Sequence, residues 1–479
     1  MSFRLSYARS LAIVVLVVSL VCGDLLSPLM PLSPVFAFTV GEEREVGEEL
    51  LAIVRKELKV IDDPDVVQYI NRVGGDILRV AGPQFFNYHF FVIDNKEFNA
   101  FAAPSGLIFV HSGLIRTMGT EGELVSVIAH EIGHAASRHI ADRIAKSTKV
   151  NVGTAAAALA GILLGAGPVS EALVAGSLAA GTTMNLKFSR QDEEEADRLA
   201  YQYMERLHRN PEAMASMLQK MYRIDRYRQG QVPSYLLTHP EPANRLSYVQ
   251  DLLLRGNKAA SYPVEDEFAF RRIKCRILSR SEEPQRLLPV YQRQAAREDG
   301  DPGQRVMAQY GISLVQLTNA DFRGAMASLA KVMAYFPDKP ILITDLGVIY
   351  FEAGDYGKAL ALFQQAYGIA PDDDYTKYNL ARALVHQRLP AEAQRLYEQL
   401  LVDMPDNAEL HSQLGRLKAE MGDLAAGYYH LGAYHWYGGD TKMAKRYLHQ
   451  AIEGLPDGRA EKKAARELLN QIARVEQHH

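Results

Sequence analysis

The chain has almost no cysteine, two in 479 residues at Cys22 and Cys275, so no framework of disulfides supports its fold. It also lacks a strong charge of either sign. Fifty-three lysines and arginines against 57 aspartates and glutamates leave a net charge of −4, which gives no reason to expect a nucleic acid or an anionic membrane as partner. Membrane-spanning apolar runs are missing too. The run Leu11 to Val21 is well short of the roughly 20 residues a span needs. With Arg4 and Arg9 before it and Val35-Phe36-Ala37 after it, residues 1–37 read as a secretory signal cleaved near Ala37. Cys22 offers lipid attachment as an alternative, but Val21 stands where a small residue is required. Cys275, the thiol left after cleavage, is expected to be a small buried hydrophobe. Residues 151–186 carry one charge, Glu171, and Gly165-Ala166-Gly167-Pro168 divides them into pieces too short to cross a bilayer. They are expected as two small-residue helices packed on the neighbouring domain, or as a hairpin with peripheral membrane contact through 152–183.

Charge is also absent around one motif. In Val127-Ile128-Ala129-His130-Glu131-Ile132-Gly133-His134-Ala135-Ala136, Glu131 is the one acidic or basic residue between Glu123 and Arg138. On a helix His130 and His134 project from the same face, so two imidazoles converge on one Zn²⁺ with Glu131 beside them as a base. Leu124, Val125, Ile128, Ile132 and Ile140 form an apolar stripe, and Gly133 lets another element come close. Two buried histidines and a glutamate without a metal would leave costly unpaired polar groups. A catalytic zinc usually takes a third protein ligand. A third histidine on the same segment is excluded, because Ser137 and Ile140 occupy the positions that would hold glycine and histidine. The alternative is a carboxylate from a second helix. Ser189-Arg190-Gln191-Asp192-Glu193-Glu194-Glu195-Ala196-Asp197 puts Glu193 and Asp197 on one face, with Glu193 as the third ligand and Asp197 orienting a ligand histidine from behind. Glu194 and Glu195 point elsewhere and read as solvated, with either of them the substitute should Glu193 not be the ligand. His139 reads as a helix-surface residue.

A length of 479 residues suggests about three domains, and 48% apolar residues are ample for their cores. Helical spacing runs from Val46 to Val80, restarting at Pro64. Tyr88 to Ile93 and Leu107 to Val110 read as strands, the second directly before the metal helix. Past residue 260 the chain repeats. Pro337, Pro371 and Pro405 are 34 residues apart, as are Gly347, Ala381 and Gly415, and again Ala325, Ala359 and Ala393. Phe363 and Tyr397 keep that register, and Asp321, Asp355 and Asp423 share another, with Leu389 in the remaining place. This is the tetratricopeptide period, in which helix pairs stack into a superhelix with a concave face. Less regular pairs flank it, and Ala460 to Val475 caps it. Tyr428, Tyr429, Tyr434, Trp436 and Tyr437 line a partner groove or pack between helices.

His130 to His134, Ser189-Arg190 to Asp197, and Asn99-Ala100-Phe101-Ala102-Ala103-Pro104-Ser105-Gly106-Leu107-Ile108-Phe109-Val110 resemble the gluzincin peptidases related to the CAAX prenyl protease. Among these, the chain resembles the periplasmic branch that serves outer-membrane beta-barrel assembly in Gram-negative bacteria, where helical repeats follow the peptidase. The resemblance implies an α+β zincin-like metalloprotease domain over 38–260, mostly helical with a small sheet. An all-α tetratricopeptide-repeat superhelix over 261–479 would follow. It implies one Zn²⁺ per chain, a periplasmic location, and unfolded or misassembled envelope proteins as substrates. It also implies docking of the repeats on the outer-membrane beta-barrel assembly machinery. The strand Leu107 to Val110 would be an edge that pairs with an extended substrate.

In the same family the segment Thr238-His239-Pro240-Glu241-Pro242-Ala243-Asn244-Arg245 lies over the active site. His239 and Arg245 would then stabilise the oxyanion. Otherwise His239 takes the open metal position and holds the enzyme shut, or merely caps a helix. The competing reading of the chain is a periplasmic chaperone or adaptor in which the repeats bind partners and zinc is structural. Glu131 argues against it, since a structural site needs no base.

Overall fold

The computed structural model describes residues 38–147, 151–164, 187–227, 232–256, 261–298 and 301–477. The signal-like segment 1–37, the lipid-attachment alternative at Cys22 and residues 165–186 lie outside them.

Two helices open the described chain. α1 (Val40–Glu57) starts on a reciprocal capping pair between Thr39 and Glu42, and α2 (Pro64–Ala81) starts on Asp63 with proline in its first turn. Three strands follow: β1 (His89–Ile93), β2 (Ala100–Ala103) and β3 (Leu107–His111). Their order is β1-β3-β2, with β1 parallel and β2 antiparallel to β3. β3 is therefore central, which corrects the expectation that it is the edge. A strand hydrogen-bonded on both sides has no backbone left for a substrate; the outer strands are β1 and β2, and the outer side of β1 is partly taken by Lys59 to Ile61, whose Ile61 N–H donates to the Val92 carbonyl. The helix expected directly after β3 is also displaced, because α3 (Ser112–Thr117) intervenes.

The motif helix α4 (Glu121–Ala136) is buried on every side from Glu121 to His134, not along one stripe. It ends at Ala136, and Arg138, a non-glycine residue in the left-handed region at φ 53°, leads into α5 (His139–Lys146). α6 (Val152–Leu164) packs on α1. α7 (Arg190–Arg206) begins on a capping pair between Ser189 and Asp192. It crosses α4 at Gly133, where a Cβ would lie 3.1 Å from the Cα and carbonyl oxygen of Ala196. α8 (Glu212–Tyr227), α9 (Ser234–Thr238) and α10 (Pro242–Arg255) complete this half.

Twelve further helices form the second half: α11 (Phe268–Ser281), α12 (Pro284–Ala295), α13 (Pro302–Thr318), α14 (Phe322–Tyr335), α15 (Ile341–Glu352), α16 (Tyr356–Ile369), α17 (Asp374–His386), α18 (Pro390–Asp403), α19 (Ala408–Glu420), α20 (Leu424–Tyr437), α21 (Thr441–Gly454) and α22 (Ala460–Gln477). The register read from the sequence has a structural meaning. Asp321, Asp355 and Asp423 are the caps of α14, α16 and α20. Ala325, Ala359 and Ala393 are fully buried where paired helices cross. Cys275 is buried, as expected.

The two halves share material. Phe270, Ile273 and Ile277 of α11 belong to the core that holds α2, α4 and α7, while Phe268, Cys275 and Leu278 of the same helix face the repeats. Arg272 and Arg276 of α11 join the start of α2 to the array. Arg272 reaches Asp65 at 2.8 Å and Asp345 at 2.8 Å, and Arg276 reaches Asp63 at 3.0 Å and Asp65 at 2.6 Å. Farther along, Arg55 of α1 pairs with Asp406 at 2.6 Å and lies 4.6 Å from the centre of the Tyr437 ring. Gly439, at φ +83°, comes so close that a Cβ would lie 2.5 Å from the Arg55 carbonyl oxygen. Trp436 is buried among α20 to α22, and Tyr428, Tyr429 and Tyr437 pack on that cluster. These rings serve packing within the chain. No helix among the described residues is long and apolar enough to cross a membrane.

Candidate metal centre

Four buried side chains from three parts of the chain meet at one point. His130 and His134 come from α4, Glu193 from the first turn of α7, and His239 from the end of α9. His130 Nε2 lies 3.0 Å from His134 Nε2 and 3.3 Å from His239 Nδ1. Glu193 Oε1 is 3.0 Å from His239 Nδ1 and 3.5 Å from His134 Nε2, and its Oε2 is 3.4 Å from His130 Nε2. Zinc–nitrogen bonds of about 2.0–2.1 Å in a tetrahedron put neighbouring ligand atoms about 3.3–3.4 Å apart. The donor set fits a cation of that kind. Moreover, Glu131 Oε1 is buried beside the cluster without a hydrogen-bond partner, a cost that a cation carrying a water would relieve.

The shell behind these groups fixes their orientation. Asp197 Oδ1 accepts from His130 Nδ1 at 2.8 Å, which leaves Nε2 facing the cluster. Arg245 grips both oxygens of Asp197, at 2.9 and 2.7 Å, and its Nη1 lies 2.9 Å from Glu193. Its guanidinium is thus occupied with the two carboxylates and buried with them. Glu131 lies beside the cluster. Its Oε2 accepts from the backbone N–H of Ala102 at 2.9 Å, and its Oε1 is 3.7 Å from His239 Nε2.

Charge follows from this packing. Burial opposes ionisation of Glu193 and Asp197, yet Arg245 and the neighbouring histidines together outweigh it, holding Glu193 well below the usual carboxylate range and Asp197 at about 2. Burial drives the His134 pKa well down. On His130, burial and the Arg245 charge oppose a proton, but Asp197 and Glu193 prevail and raise its pKa to about 9. The pull of Asp197 and Glu193 that holds an added proton on His130 would hold a cation there in its place.

The structure brings together every residue singled out from the sequence: His130, Glu131, His134, Glu193, Asp197, His239 and Arg245. Glu194 instead pairs with Arg190 at 2.8 Å, and Glu195 is exposed. Two contributors had escaped notice, and a third had been misplaced. Phe188 stacks on His134 at 3.9 Å between ring centres, and Tyr235 stacks on His239 at 4.2 Å. Both have a faint sequence signal, since Phe188 immediately precedes the Ser189 cap, where an apolar residue often packs back, and Tyr235 is one helical turn before His239. His139, expected at the surface, is buried against His134.

Comparison with known proteins agrees with this geometry. Residues 64–253 match peptidase family M48, and residues 310–374 and 350–419 match tetratricopeptide repeats. The chain is 30% identical over 388 residues to the beta-barrel assembly-enhancing protease of Yersinia pestis, covering 80% of this chain and 78% of that protein. It is 29% identical to the Escherichia coli K12 protein of the same name, covering 82% and 80%. Among solved structures, MamA from Desulfovibrio magneticus aligns at a TM-score of 0.29 and 17% identity over 38% of this chain and 99% of its own. The sequence match extends through the repeats, so peptidase and array are shared as one unit. The chain belongs to the M48 metalloproteases of the beta-barrel assembly-enhancing type, hydrolases with a carboxy-terminal tetratricopeptide array.

Proposed function

We propose that the protein is a periplasmic zinc endopeptidase of outer-membrane protein quality control, cleaving unfolded or misassembled envelope proteins. Residues 1–37 are its secretory signal, 38–260 its peptidase domain, and 261–479 the repeat domain that docks clients or the beta-barrel assembly machinery. The observation that carries this reading is the buried convergence of His130, His134, Glu193 and His239 with Glu131 alongside. The relatives' name supports the assembly role.

His130, His134 and Glu193 would hold the ion, which would supply acidification of a water and polarisation of the scissile carbonyl. Glu131 receives the water's proton at Oε1, the oxygen without a hydrogen bond, and passes it to the leaving amine. The substrate backbone adds to β2. His111 N–H donates to the Asn99 carbonyl, and the alternation of an antiparallel pair then turns Ala100 and the Ala102 carbonyl outward, the Ala102 N–H being held by Glu131. An extended segment is needed for that pairing, which selects unfolded or looped chains.

At rest His239 would take the remaining place beside the ion and hold the enzyme shut. Its Nδ1 sits among the ligand atoms, and Tyr235 and Phe188 hold the ring there. Removing it should open the site. His239→Ala is expected to raise basal cleavage of casein by the purified protein, in a chelator-sensitive manner. A fall in cleavage would assign His239 to oxyanion stabilisation instead.

A further inference from the structure

His130 and His134 present the same ring nitrogen to the cluster but are held from behind by different chemistry. His130 has a carboxylate, Asp197. His134 has another imidazole: its Nδ1 lies 2.8 Å from His139 Nδ1. A histidine that offers Nε2 to a cation must carry its proton on Nδ1. His139 Nδ1 must then accept, which puts the His139 proton on Nε2, the nitrogen 3.5 Å from Glu195 Oε2. We infer that His139 is a positioning residue for the metal centre, accepting from His134 Nδ1–H and being oriented in turn by Glu195. The inference rests on the metal-centre reading above.

The backbone is bent for this contact. In an unbroken helix position 139 would lie about 140° around the axis from position 134, on another face. The left-handed Arg138 breaks α4 and swings His139 beneath His134. A non-glycine residue persists in that conformation where its surroundings enforce it. Glu43 of α1 does so, accepting from Arg138 Nε at 3.0 Å and Nη2 at 2.8 Å. Phe188 covers the other face of His134 and prevents the ring from tipping away.

The test is zinc affinity, measured on the full chain by competition with a chromogenic chelator. The proteins compared are wild type, His139→Leu and His139→Asn, together with the metal-free melting temperature of each. Asparagine Oδ1 stands where histidine Nδ1 does, so it preserves the acceptor that leucine removes. His139→Leu should weaken zinc binding by about 10- to 100-fold, and His139→Asn should recover most of it. Glu195→Ala, at an exposed position, should weaken binding less, and it keeps the question answerable if the leucine variant fails to fold. In ¹⁵N spectra of the zinc-loaded protein, the His134 Nδ1–H resonance should shift in the leucine variant and stay near its wild-type position in the asparagine variant. Equal weakening by leucine and asparagine would overturn the inference, as would wild-type affinity in both His139→Leu and Glu195→Ala. Failure of the wild type to take up zinc would overturn the metal-centre reading itself.

Discussion

At the scale of single residues, the division of labour is set by which atoms are already occupied. Glu131 has one oxygen bound to the Ala102 N–H and the other unpaired, whereas both oxygens of Asp197 are held by Arg245. Glu131→Gln should therefore retain zinc and lose about 10²- to 10⁴-fold of casein cleavage, which zinc analysis and kinetics on one preparation would check. Cleavage at the native rate would remove Glu131 from the role of base. The proposed ligands are legible in the sequence because helical spacing puts His130 with His134 and Glu193 with Asp197. His139 was not, since its approach to His134 depends on one left-handed residue held by a salt bridge from a distant helix. Nor was the Ala102 N–H, a backbone group whose role exists only once β2 lies against α4.

At the scale of elements, the crossing of α4 and α7 sets the distance between the histidine pair and the carboxylate. Gly133 makes that crossing possible, and a larger residue must push the backbone at Ala196 away. Gly133→Val should cost about 1–3 kcal/mol by overpacking and reduce zinc affinity, since Glu193 is one turn from Ala196 on α7. Urea melts and chelator competition would show it. Unchanged metal affinity would mean that the crossing is not what positions the carboxylate. The sheet illustrates what periodicity does not carry. Strands were readable at β1 and β3 from their aromatic and β-branched residues, but Ala100–Ala103 is mostly alanine and carries little strand signal. Missing β2 made β3 look like the edge.

At the scale of the whole molecule, the repeats are fastened to the peptidase by a buried ionic clasp. The 34-residue register revealed the array but not its seat, because the residues of the clasp recur with no period. Asp63 shows its electrostatics. Burial works against its charge, but Arg276 and Arg280 prevail and lower its pKa from 3.8 to about 2. A depressed carboxylate stabilises the fold above its unfolded pKa, so this contribution is fully present above about 3.8 and is lost as the pH falls through about 2. Arg276→Met removes one partner of a buried pair and should cost about 3–5 kcal/mol at neutral pH. Thermal melts should show the gap from wild type narrowing through that acidic window. A gap that stays constant on acidification would mean that the clasp's charge contributes nothing.

The reading of the molecule as a metal-dependent peptidase depends on one acid side chain from α7 completing a site begun on α4. The direct measurement is zinc bound per chain, by elemental analysis, in wild type and Glu193→Ala, with folding checked by circular dichroism. The expected result is one zinc in wild type, little or none in the folded variant, and no casein cleavage by the variant. A folded Glu193→Ala protein that binds one zinc as tightly as wild type and still cleaves casein would contradict it.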